Sequence, residues 1–172
     1  MAVSAVQSAL FNDWVTARLD EGLGRVALLG DVLKKTDTGG LFNVTEDDDL
    51  EVERNRLASL QTVVTGPMFG TRMREATHVS GQREADVLAR AGLALSRFEA
   101  VSKVAQGTRR PLYVFPEGLD ARVMDDGFEI AFSLPAGAYA TVLLRELVAE
   151  LESGEDAATA AESPADSEST DE

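Results

Sequence analysis

The stretch SLPAGAYATVLLREL, residues 133–147, sets one aromatic, Tyr139, among small residues where an alternating strand gives way to an apolar helix. A helix start leaves backbone N–H groups unpaired and carries the positive end of the helix dipole. Gly137 and the alanines around Tyr139 let backbone or a ligand come close, so the junction can receive a ligand at the helix N-terminus. Read by itself, Tyr139 more readily suits a half-buried aromatic in the first turn of a core helix.

Other residues with chemical potential are few. Arg109 and Arg110 stand together before a strand-like run and are candidates for phosphate contacts, although a basic pair there also suits plain surface. Arg72 and Arg74 sit in a Gly- and Pro-containing stretch and read more readily as solvated surface than as phosphate ligands. His78, the single histidine, has no serine, cysteine or acid at a telling spacing and reads as a loop residue. The acidic run Glu46 to Asp49 lacks the alternation and the turn glycine of a calcium loop. It reads as the start of a helix, with Thr45 as its cap. With no cysteine and one histidine, thiol chemistry and Cys- or His-based metal sites are excluded. No metal and no cofactor is expected.

At 172 residues the chain suits one folded unit with appendages. Its 44% hydrophobic and 27% charged content is ordinary for a globular protein. The net charge of −14 opposes phosphate binding, but nine of the thirty acids fall within residues 150–172, which hold no Lys or Arg, leaving −5 for the rest. No apolar run reaches the roughly 20 residues of a membrane span, and no secretory pattern opens the chain. The expected compartment is the cytoplasm, with no membrane partner.

The elements that must carry these residues follow from periodicity. Val3, Val6, Leu10 and Trp14 define an amphipathic helix ending near Gly22. Its apolar face is already running at its first residues, which implies that chain once preceded it. Short strands are expected at Val26–Leu29, Val32–Lys35 and Leu41–Thr45, with at least one hairpin, then a helix turning Leu50, Leu57 and Leu60 inward. Residues 65–81 read as an irregular connection. Two helices follow, one ending at Gly92 and one carrying Phe98, Val101 and Val104 on one side with Gly107 as its stop. Asp126-Gly127 signals a hairpin, and Phe128, Ile130, Phe132 and Leu134 alternate along its second strand. A final helix carries Ala140, Leu144, Leu147 and Leu151 on one stripe. Beyond Ser153 the composition cannot bury enough surface to order itself, and a disordered acidic tail is expected.

Several stretches in order, SALFNDWVTARL (8–19), LLGDVL (28–33), TGPMFG (65–70), GTRRPLYVFPEGL (107–119) and FEIAFSLPAGAYATVLLREL (128–147), resemble the C-terminal part of the bacterial tRNA pseudouridine synthases of the TruD family. The most specific is the LPAG-aromatic-AT motif followed by REL. The resemblance covers residues 4 to 149.

It implies an α+β fold in three parts. Residues 1–108 would be the remainder of an inserted domain of mixed short strands and helices. Residues 109–150 would be an antiparallel strand pair and C-terminal helix of the catalytic domain, and 151–172 the tail. It implies isomerisation of a tRNA uridine, at position thirteen in the best-known case, without cofactor or metal. The aspartate nucleophile of such enzymes lies in a Gly-x-Lys-Asp motif, followed by an Asn-x-Phe-Gly motif, and neither occurs in this sequence. Asp31 follows a glycine but has the wrong neighbours.

No catalytic residue is therefore expected in this chain. By resemblance Tyr139 would face the target base, with Gly137, Arg109 and Arg110 as further substrate contacts. Base stacking on an aromatic face is worth about 1–3 kcal/mol, and a base must leave its stack before chemistry on it. Arg145, near the opposite face of the helix, would pair with a carboxylate. The expected partners are tRNA and a missing N-terminal catalytic half. Two other readings stay open: a stand-alone RNA-binding or protein-interaction module, and an inactive truncated remnant.

Overall fold

The structure, a computed structural model, describes residues 2–135 and 138–145. Gly137, Leu147, Leu151 and the acidic tail lie outside the described residues. The chain runs α1 (Ala2–Asp20), β1 (Val32–Lys35), β2 (Leu41–Asn43), α2 (Leu50–Ala58), β3 (Thr62–Met68), α3 (His78–Arg90), a 3-10 helix (Leu95–Val101), β4 (Thr108–Pro111), β5 (Glu117–Met124) and β6 (Gly127–Ser133). Residues 140–145 are again helical. The class is α+β, and the chain divides into two compact units, Met1–Tyr113 and Val114–Glu172.

The first unit is built on β3, whose seven residues are all buried. Its first half pairs with β1 (Leu33 opposite Val64) and its second half with β4 (Gly66 opposite Arg110), giving an antiparallel sheet ordered β2-β1-β3-β4. Pro67, which has no N–H to donate, lies beyond the β1 ladder, where the loss costs nothing on that side. The Thr65 hydroxyl donates to the Val32 carbonyl at 2.6 Å and ties the sheet where the ladder ends.

This corrects the expectation that 65–81 is irregular from its first residue. The local Gly-Pro signal yields to pairing on both sides. Gly66 is there because α1 crosses above it: a Cβ at this position would stand 2.5 Å from the Trp14 ring and 2.8 Å from that of Phe11. Gly66→Ala is expected to lower stability by about 1–3 kcal/mol through overpacking, read from a thermal or urea melt of the chain.

Helix α1 buries Leu10, Phe11 and Trp14 against this sheet. Val6, expected on the same stripe, is exposed, and the buried face instead includes Gln7 and Arg18. Gln7 donates to the Phe69 carbonyl at 2.7 Å. Gly22, at φ +71, ends the helix as expected.

No strand forms at Val26–Leu29. The carbonyls of Leu23 and Val26 accept from the Arg18 guanidinium, and the Leu28 N–H donates to Asp31, so the segment is organised by a side-chain network. The cap of α2 is Asp49, which accepts from the Glu51 N–H at 2.9 Å, whereas Thr45 donates to Asp48 through its N–H and hydroxyl. Leu57 turns inward, but Leu60, at φ 58 past the helix end, is exposed. The helix expected around Phe98 is a short 3-10 turn that buries Phe98 and leaves Val104 exposed. Gly92, at φ +67, ends α3.

The second unit contains the hairpin β5–β6. Met124 opposes Gly127, so Asp125 and Asp126 form the two-residue loop, one position earlier than Asp126-Gly127. Along β6, Ile130 and Phe132 are partly covered, and Phe128 remains exposed.

Candidate substrate-binding surface

Tyr139 opens the helical segment 140–145, and 74% of it is exposed. The Ala138 N–H donates to the Pro135 carbonyl at 3.1 Å, which closes the turn out of β6, and the Val142 N–H donates to the Tyr139 carbonyl at 3.1 Å. The ring therefore stands at the start of the segment and is not sealed in packed hydrocarbon.

Leu119, Val123, Met124, Phe128, Val142 and Leu144 of the same unit are also exposed. Val123 and Phe128 face each other across the hairpin. A two-stranded hairpin is marginal alone and needs a further layer on its apolar face.

Arg109 is corrected by the structure. Its guanidinium is 1% exposed and forks onto Glu84 of α3, with N–O distances of 2.7 and 3.0 Å. It also donates to the hydroxyl and carbonyl of Thr65. It is a strut between β4 and α3, with no donor to spare for a phosphate. Burial pushes the Glu84 carboxyl above its usual range, against the opposing pull of Arg109. Arg110, the next residue, points the other way because strand side chains alternate. It is exposed and lies over the Phe11 ring at 5.1 Å from its centroid. Arg145 is exposed.

A second buried network surrounds Asp31. It accepts from Arg18 at 2.9 and 2.6 Å, from Ser80 at 2.7 Å and from the Leu28 N–H at 2.9 Å. Arg18 itself lies over the Trp14 ring. With its carboxylate oxygens taken by four donors, Asp31 is structural. Sequence reading missed both networks, and their only signal was charge at a core-facing helical spacing: Arg18 four after Trp14, and Glu84 four after Ser80.

Of the remaining candidates, Arg72 and Arg74 are both exposed, and Arg74 donates to the Asn43 side chain and the Leu41 carbonyl at the edge of β2. His78 begins α3 rather than sitting in a loop, 4.0 Å from Glu46. Among the described residues no three acids or histidines converge as metal ligands. A cleft of about 290 Å³ lined by Lys35, Thr36, Asp37, Arg56, Gln61 and Thr62 has Asp37 opposing its two cations, one of which, Arg56, is already paired with Glu53.

The family model for tRNA pseudouridine synthase D (TruD) matches residues 1–147. Similar proteins share the class: a tRNA pseudouridine synthase D of Anaeromyxobacter dehalogenans (strain 2CP-1) is 42% identical over 158 residues, which cover 91% of this chain and 44% of that protein. One from Thermus thermophilus is 39% identical over 146 residues, 85% of this chain and 39% of that protein. In three dimensions the chain is similar to a crystal structure from Methanosarcina mazei assigned to tRNA pseudouridine synthase D, with a TM-score of 0.62 at 25% identity over 81% of this chain and 36% of that one. The chain belongs to the TruD family of tRNA pseudouridine synthases. It spans less than half the length of these relatives.

Proposed function

We propose that this chain supplies the C-terminal half of a tRNA pseudouridine synthase that acts in the cytoplasm on uridine thirteen. It gives the substrate contacts, and the nucleophilic aspartate comes from polypeptide outside these residues. In the reaction the bond from N1 of the base to C1′ breaks, the base turns, and C5 bonds to C1′. The proton on C5 leaves, N1 ends protonated, and no electrons are gained or lost. No cofactor or metal is required by that balance.

The observation that carries this reading is the open ring of Tyr139 at the LPAG junction, beside an exposed apolar hairpin. An aromatic face there can hold the turned-out base while the rest of the enzyme supplies the carboxylate. The absence of a Gly-x-Lys-Asp motif from the sequence supports the division of labour. The purified chain, given tRNA tritiated at C5 of uridine, is expected to release no tritium above background. Robust release by the chain alone would overturn the reading.

A further inference from the structure

Residues 1–12, 22–30 and 100–116 are among the stretches of this chain that contain no acid. In the first unit these three segments meet at the seam between α1 and the edge strand β4. At one end of the seam Arg110 lies over Phe11. At the other, Arg25 lies over Tyr113, 5.6 Å from the ring centroid.

Tyr113 is held against the end of α1: a Cβ built on Gly24 would stand 2.3 Å from its hydroxyl oxygen and 2.9 Å from Leu19 Cδ2. Phe11 and Leu19 belong to one side of α1, with Ser4, Ser8 and Val15, each three or four residues from the next. No acid falls on that side. The eight-residue step from Phe11 to Leu19 rises about 12 Å, which sets the order of spacing between the two charges.

Arg18 and Arg109 are buried on carboxylates, and Arg54, Arg56, Arg83 and Arg122 are paired with acids at the surface. Arg25 and Arg110 are exposed, and among the described residues neither has an acidic partner. Among the described residues Arg72, Arg74, Arg90, Arg97 and Arg145 are likewise exposed without an ion pair, and what sets Arg25 and Arg110 apart is that each exposed guanidinium rests on an aromatic ring. Glu21, the acid nearest Arg25 in sequence, is taken by Arg83 at 2.7 Å. A guanidinium resting on a ring spends its face and keeps its in-plane N–H donors, held in a rigid fork suited to phosphate oxygens.

We propose that the α1–β4 seam binds the sugar–phosphate backbone of RNA, with Arg25 and Arg110 each contacting a phosphate. The inference rests on the reading that this chain handles tRNA, and adds to it an anchoring surface that is independent of the base contact at Tyr139. It reads charge and not sequence, because phosphate contacts position RNA without identifying bases.

The test is binding of fluorescently labelled, unmodified tRNA to the full chain over a series of salt concentrations. The double variant Arg25→Gln/Arg110→Gln is expected to bind more weakly and to make the slope of log K against log salt shallower by about 1.4 to 1.8, at about 0.7 to 0.9 per phosphate contact. Each single variant gives half that change. Arg25→Lys/Arg110→Lys keeps the slope but binds less tightly, since the ammonium neither stacks nor forks.

The variant Arg90→Gln/Arg97→Gln, of equal charge change at other exposed sites, leaves the slope unaltered. An equal loss of slope in that control would mean net charge and no site. An unchanged slope in the Arg25/Arg110 double variant, with wild type binding normally, would overturn the seam and leave the tRNA reading standing. No binding by wild type at low salt would overturn both.

Discussion

Arg109→Met is expected to cost the first unit about 3–5 kcal/mol, because it leaves the Glu84 carboxylate buried without its counter-charge. That is a large part of the about 5–15 kcal/mol available to a typical domain. The same substitution strips donors from Thr65, which already holds β3 to β1 through Val32. The expected result is a sharp fall in the urea midpoint followed by circular dichroism.

Replacing both partners, Glu84→Leu with Arg109→Met, should recover most of the loss. Desolvation dominates at Glu84, as the upward push on its carboxyl shows, so the intact pair adds little net stability over an apolar contact of similar volume. If Arg109→Met melted like wild type, the guanidinium would not be the strut described here.

Tyr139→Ala is expected to reduce pseudouridine formation by about 5- to 150-fold when the chain acts with its catalytic complement, which is the rate equivalent of about 1–3 kcal/mol of stacking. Tyr139→Phe should stay near wild type, since the face of the ring and not its hydroxyl meets the base. Because the side chain is largely exposed, both variants should melt within about 0.5 kcal/mol of wild type. An activity loss that tracked a stability loss would mark Tyr139 as ordinary packing.

How much of this could be read from the sequence depended on whether a signal was local. The α1 helix and its stop at Gly22, the β1–β2 hairpin, α3 ending at Gly92 and the β5–β6 hairpin all rest on short-range periodicity and turn chemistry, and all are present. The central strand was missed because Gly66 and Pro67 are breakers locally. Here one admits the Trp14 ring, and the other falls where β1 has already left the ladder.

Val26–Leu29 looked like a strand by composition, but its backbone groups are claimed by Arg18 and Asp31, partners that no local pattern announces. The same blindness affected the site. Adjacent arginines at 109 and 110 looked alike, and strand alternation sent one to a buried glutamate and the other to the surface. Tyr139 stands out in the sequence because small residues and a strand-to-helix switch surround it, and in the structure its ring is exposed.

The most direct measurement of the division of labour is reconstitution. The chain is mixed with the N-terminal portion of a TruD-family enzyme that carries the Gly-x-Lys-Asp motif, and tritium release from C5-labelled tRNA is followed. Release from the mixture, with none from either part alone and a reduced rate when the chain carries Tyr139→Ala, is the predicted result. A mixture that binds tRNA and associates yet forms no pseudouridine, or an N-terminal portion whose activity is the same with and without this chain, would contradict it.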